Sequence, residues 1–308
     1  VVSVSPIRWH HHPELRRPVL VTAFEGWNDA GDAASGAARW LIHRHGAEQV
    51  ATLESEEFFD FTTTRPLVEQ TEAGDRRIVW PDTELWTATT STERDLAILV
   101  GHEPHLRWRT WSRAVVELAQ SLDVSMVITL GALLSDIPHT RPTMVTGTAD
   151  EPDVAGRLGL VRSTYEGPTG IVGVLGSALR DAGISTVSLW ASVPTYVSGA
   201  PSPKATLALV ERTARILGVH LPTTDLEIAA AAYIRQLDEL VAADDDTAEY
   251  VSGLEAAADD QPSTDLDELE GFGPFGAPFD ETHQAEGPMP DADPAELVEE
   301  VERFLRGD

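Results

Sequence analysis

Four runs of nearly continuous apolar residues, at 18–24, 95–100, 124–130 and 186–193, read as strands buried on both faces. Between and after them the apolar positions recur with helical period. Trp108, Trp111, Val115, Leu118 and Leu122 mark one helix over 106–122, and another is expected from about Ile171 to Ala182. Ser202-Pro203 pairs a capping residue with proline at the first helical position, and Leu207, Val210, Ala214 and Leu217 give the helix that follows its apolar face. Thr224 and Glu227 read as a capping box for a further helix with Leu226, Ala230, Tyr233, Leu237 and Leu240 on one stripe. A last helical stretch is expected over 246–258. Strands alternating with helices through residue 217 predict an α/β protein: a mostly parallel sheet with helices on both faces, plus C-terminal helices.

The intervening segments are less regular. After the first strand, residues 25–32 turn into an Ala-rich helix ending near Gly46, which Asn28 or Asp29 is placed to cap. Residues 49–88 mix short strand signals with Arg65-Pro66 and Trp80-Pro81, which predicts an irregular excursion containing a hairpin. A short strand is expected at 144–147.

The stretch from Met126 to Pro142, M-V-I-T-L-G-A-L-L-S-D-I-P-H-T-R-P, concentrates the candidate chemistry. A buried strand is expected to end at Gly131, and Asp136, His139 and Arg141 follow on a frame stiffened by Pro138 and Pro142. Ligands of open α/β sheets collect beyond the carboxyl ends of parallel strands. By the same rule Glu25 and Asn28 after the first strand, His102 and Glu103 after the second, and Thr195 and Tyr196 after the last are candidates. Carboxylates and histidine here suit acid/base work, with Arg141 holding an anion. Alternatively, the loops satisfy one another or pack against a neighbouring subunit, since fold alone does not license function.

Composition narrows the classes. The 308 residues contain no cysteine, which excludes disulfides, thiolate metal sites and thiol nucleophiles. No apolar run is long enough to cross a membrane, and Arg8 with three histidines stands where a leader would need an apolar core, so a cytoplasmic protein is expected. The net charge of −29 is unevenly distributed: residues 1–240 hold 30 acidic and 20 basic side chains, residues 241–308 hold 21 and 2. With no basic stripe, nucleic acid and anionic membranes are not expected partners. Pro104 breaks the helical spacing a zinc-protease motif would need between His102 and His105, and no phosphate loop, nucleophile elbow or dinucleotide fingerprint occurs. No metal and no cofactor is expected.

Residues 259–292 are acidic and rich in proline and glycine, a composition that predicts a flexible linker. Asp293-Pro294-Ala295-Glu296 then restarts a short amphipathic helix over 293–308, with Leu297, Val301, Phe304 and Leu305 on one face. That helix is too short to hold alone in water and is expected to dock in a groove of this chain or of a protein partner.

Five segments carry a resemblance that periodicity does not supply. They are F-E-G-W-N-D-A-G-D-A-A (24–34), G-H-E-P-H-L-R-W (101–108), L-G-A-L-L-S-D-I-P-H-T-R-P (130–142), Y-E-G-P-T-G-I (165–171), and S-L-W-A-S-V-P-T-Y-V followed by S-P-K-A-T (188–206). In this order they resemble the proteasome assembly chaperone family, in the branch named after the second such chaperone. The resemblance implies a three-layer α/β/α sandwich similar to the nucleoside phosphorylase and hydrolase-like fold, and a homo-oligomer, with a trimer favoured. Relatives that dock into proteasome rings do so through a hydrophobic-Tyr-any-residue C-terminus, whereas this sequence closes on Arg303-Phe304-Leu305-Arg306-Gly307-Asp308, so docking by that route is not expected.

The domain reading is therefore an α/β domain over 1–220, a helical extension over 221–258, the linker 259–292 and the helix 293–308. The leading functional expectation is an interaction or assembly protein. The alternative is a hydrolase or phosphorylase acting on a small anionic or glycosidic substrate at the strand-end loops.

Overall fold

The computed structural model describes residues 5–71 and 74–260. Of the linker expected over 259–292 only residues 259 and 260 are described, and the rest of it lies outside the described residues, as does the helix expected over 293–308. In chain order the strands are β1 (Ile7–Trp9), β2 (Val19–Glu25), β3 (Glu48–Leu53), β4 (Leu67–Gln70), β5 (Arg76–Val79), β6 (Thr83–Ala88), β7 (Leu96–His102), β8 (Met126–Ser135), β9 (Val145–Ala149) and β10 (Thr186–Pro194). The helices are α1 (Ala33–His45), α2 (Trp108–Ser121), α3 (Pro152–Leu158), α4 (Ile171–Asp181), α5 (Pro203–Leu217), α6 (Thr224–Ala242) and α7 (Asp245–Asp260). The fold is the α/β class expected from the sequence.

Eight strands form one sheet in the order β1-β3-β6-β7-β2-β8-β10-β9, and β4 and β5 form a separate hairpin. At the sheet's centre β2 runs parallel to both β7 and β8, pairing Val19 with Leu96 and with Met126. These three strands carry the continuous apolar runs, because a strand covered on both faces has no polar face to show. Towards one edge β6, β3 and β1 add antiparallel pairs. Residues 49–88 are thus not merely an excursion with a hairpin: they open on β3 and close on β6, two members of the main sheet. Their sequences E-Q-V-A-T-L and T-E-L-W-T-A interrupt the apolar run with polar residues, as edge-side strands do.

The chain divides into two compact units. The first holds residues up to Asn28, 37–130 and 169–187. Its core includes Phe24 and Trp111, both fully buried and packed edge to face with ring centroids 5.0 Å apart. Trp111 is therefore core, whereas Trp27 is 61% exposed.

The second unit holds residues 29–36, 131–168 and those from Ser188 onward. Here β8 does not stop at Gly131 but runs on to Ser135. A Cβ at Gly131 would lie 2.6 Å from the Trp190 ring, so this glycine serves close packing and not chain termination. Ser202 caps α5 by accepting from the backbone N–H of Ala205, as the Ser-Pro signature predicts. The cap of α6 is one residue earlier than expected: Thr223 is the N-cap, and its hydroxyl donates to the Glu227 carboxylate at 2.8 Å. The α6 stripe buries Ala230, Tyr233 and Leu237. α7 continues two residues past the expected end, so Asp259 and Asp260 are helical.

Candidate functional site

The predicted site residues fall into two groups, one in each unit. In the first unit the parallel register sets Glu25 directly beside His102. Glu25 Oε2 lies 3.0 Å from His102 Nδ1, and Arg39 of α1 binds the other carboxylate oxygen. The bond from His102, with Arg39 adding to it against the cost of burial, holds the Glu25 carboxyl down at about 2. The His102 side chain remains 39% exposed.

Glu103 and Asn28 serve the start of α4. Glu103 Oε1 accepts from Asn28 Nδ2 at 2.9 Å and from the backbone N–H of Ile171 at 2.8 Å. A carboxylate thus caps the helix from another loop, where it also complements the macrodipole. A side chain on Gly170 would meet the Asn28 amide at 2.4 Å, which explains the glycine that ends G-P-T-G.

In the second unit the other five candidates meet residues of α5, α6 and α7. His139 is 2% exposed. Its Nδ1 and its backbone N–H both face the Tyr196 hydroxyl at 2.7 Å, and its Nε2 lies 3.2 Å from Asp238 of α6. One arrangement satisfies all three contacts: the hydroxyl accepts from the backbone and donates to Nδ1, leaving the proton on Nε2 to reach Asp238. Burial pushes the His139 pKa down, opposed by Asp238 and Glu255, and Lys204 adds to the lowering. Burial likewise raises the Tyr196 phenol, so it stays protonated.

Arg141 makes a two-pronged contact with Asp259 of α7, Nε to Oδ1 at 2.8 Å and Nη2 to Oδ2 at 2.7 Å, and Nη1 is 3.4 Å from Glu255. The neighbouring Thr140 hydroxyl donates to Glu255 as well. Asp136 accepts from Thr195 at 2.6 Å and lies 3.5 Å from the Tyr250 hydroxyl of α7. Beneath the loop Lys204 of α5 donates to the carbonyls of His139, at 2.5 Å, and of Arg141. Burial lowers the Lys204 pKa to about 8. With an ammonium tying two carbonyls and three acidic or phenolic residues of α7 on its side chains, this loop is a seat for the C-terminal helices.

Sequence reasoning found the loop but not its partners. Asp238, Tyr250 and Glu255 lie about 100 residues downstream on stretches read only as helical, and Asp259 where the linker is expected to start. The one local signal was the spacing of Glu255 and Asp259, four apart and so on one helix face.

The architecture is that of an α/β protein whose loop of Asp136, His139 and Arg141 is bonded to its own C-terminal helices. The chain belongs to the PAC2 family, whose model matches residues 23–241. It is 46% identical to a PAC2 family protein from Streptomyces avermitilis, with a TM-score of 0.71 over 76% of this chain and 99% of that one. A proteasome-assembly chaperone homologue of Mycobacterium tuberculosis is 42% identical, with a TM-score of 0.69 over 76% of this chain and 99% of that one. A protein of unknown function from Corynebacterium glutamicum is 29% identical, with a TM-score of 0.74 over 82% of this chain and 97% of that one. Among curated proteins none matches the chain. No helix among the described residues is long and apolar enough to cross a membrane.

Proposed function

We propose that the protein is a cytoplasmic assembly factor that acts by associating with protein chains, beginning with copies of itself, and that it forms a homo-oligomer, with a trimer favoured. The observation that carries this reading is where the chain spends its side chains. His139 has both ring nitrogens engaged and Arg141 is hydrogen-bonded to Asp259 of α7, while Leu67, Val68, Ile78 and Trp80 stand 64%, 65%, 58% and 45% exposed on and beside the β4–β5 hairpin. Val68 and Ile78 are cross-strand partners, and Trp80 is steadied by Phe61 at 5.0 Å. An isolated two-stranded hairpin gains little stability of its own, so bare apolar residues on one favour a covering partner.

A second copy is the occupant the charges favour. As a sequence segment, residues 65–80 carry Arg65, Arg76 and Arg77 against Glu69, Glu72 and Asp75, a net charge of zero in a chain of net charge −29. Two such chains repel over most of their surfaces and least at this hairpin. The naming of the M. tuberculosis relative as a proteasome-assembly chaperone homologue fits an assembly role of this kind.

Light scattering at micromolar concentration tests the reading. The unmodified chain should have the mass of an oligomer, three copies on this account, and Val68→Ser with Ile78→Ser should shift it towards monomer with unchanged circular dichroism. A monomeric unmodified chain, or an oligomer indifferent to both substitutions, overturns it.

The alternative of a hydrolase or phosphorylase keeps one supporting feature. Glu25 orients His102 through Nδ1 and leaves the ring half-exposed, the arrangement of a general base. It predicts turnover of a chromogenic ester or glycoside that His102→Ala abolishes; equal rates in the two proteins would remove it.

A further inference from the structure

α7 has the chemistry of a bound ligand. Sixteen residues long, it buries only Val251, which joins Tyr196, Val197, Tyr233 and Leu237 in one cluster. Leu254 packs against the same cluster, and the Tyr250 ring stands edge to face on Tyr196. Polar contacts join the helix to the loop: Tyr250 on Asp136, Glu255 on Thr140 and Arg141, and Asp259 on Arg141. Val251, Glu255 and Asp259 follow one another at intervals of four, so one stripe of the helix presents an apolar anchor and then two carboxylates.

The helix is also built against its own interest. Asp259 and Asp260 close it with no basic residue in the last turn, so their charges oppose the macrodipole where cations are preferred. The Arg141 guanidinium offsets that opposition at Asp259 by a planar two-bond contact. The receiving side, by contrast, is prepared: two prolines and Lys204, which is bonded to the carbonyls of His139 and Arg141, hold the loop from behind. Polar contacts of this exposure are weak and screened by salt.

We infer that Thr140, Arg141 and the apolar patch around Tyr196 and Val197 form a receptor for an acidic amphipathic helix, one with an apolar anchor and carboxylates four and eight residues after it, and that α7 is this chain's own exchangeable occupant. The partner is a protein segment of that chemistry, competing with α7 for the guanidinium. The inference stands apart from the hairpin: the chain can fail to self-associate and still bind such a helix.

The probe is a fluorescein-labelled peptide of residues 243–260, titrated into the full-length chain. The unmodified protein should bind it weakly, because its tethered α7 competes at high effective concentration. Glu255→Ala with Asp259→Ala in the full chain should loosen α7 and tighten peptide binding about tenfold or more. Adding Arg141→Ala to that variant should abolish binding, and so should the same two substitutions made in the peptide. Peptide affinity that does not rise in the double variant, or that survives Arg141→Ala, overturns the inference. Hydrogen exchange on the unmodified chain gives a readout free of any folding defect. Amides of α7 should lose protection as salt is raised while those of β2 and β7 keep theirs, and salt-independent protection of α7 equal to that of the strands contradicts exchangeability.

Discussion

The Tyr196 hydroxyl stands 2.7 Å from the backbone nitrogen of His139 and 2.7 Å from its Nδ1. Both residues are buried, so neither group has water as an alternative partner. Tyr196→Phe should therefore destabilise the chain by about 1–3 kcal/mol, the cost of leaving a buried donor and acceptor unsatisfied. Denaturant unfolding checks this, and an unchanged midpoint would show that the loop does not depend on the phenol.

The same contact makes stability depend on pH. Burial holds the His139 pKa below its ordinary value of 6.5, so between the two values the unfolded chain binds more protons than the folded one. Stability from this group is fully present above 6.5 and is lost as the pH falls towards the folded value. Asp238, Glu255 and Lys204 face the ring and set how far the shift goes. His139→Gln should flatten this part of the pH profile. A profile that keeps its slope in the variant assigns the dependence elsewhere.

Glu25 acts in the opposite sense to a buried acid without partners. With its carboxyl held at about 2 against an ordinary 4.5, it stabilises the fold above pH 4.5, and that contribution is lost as the pH falls towards 2. Glu25→Gln should cost about 1–3 kcal/mol near neutral pH, the usual value of charge-assisted bonds, and the gap from the unmodified chain should close in acid. A gap constant with pH would mean that packing, not charge, is what the substitution removes.

What could be read from the sequence follows from how local each signal is. The strand ends bearing Glu25 and His102 were legible because continuous apolar runs mark buried parallel strands, and the register then follows from the sheet. β3 and β6 were not, because strands towards an edge interleave polar residues and lose the run. α3 was hidden by Gly156 and by its seven-residue length. The loop of Asp136, His139 and Arg141 stood out as chemistry, yet its role depends on Asp238, Glu255 and Asp259, whose pairing no local pattern encodes. Gly131 misled because glycine in a strand signals either an ending or a close approach, and only Trp190 decides which.

That close approach gives a further test. Gly131→Ala would force a Cβ to 2.6 Å from the Trp190 ring and should cost about 1–3 kcal/mol by overpacking. Trp190→Leu, destabilising by itself, should relieve part of that cost, so the two changes together should be less than additive. Strict additivity would show that the ring is not what excludes a side chain at 131.

Hairpin meeting hairpin is the central claim, and the absence of cysteine from the sequence allows it to be measured directly. Gln70→Cys places a single thiol at the end of β4, labelled with a nitroxide for pulsed dipolar spectroscopy. The account predicts a defined short spin–spin distance between copies, lost when Val68→Ser and Ile78→Ser are added. A background decay with no dipolar modulation, in a sample concentrated enough to assemble, would contradict it.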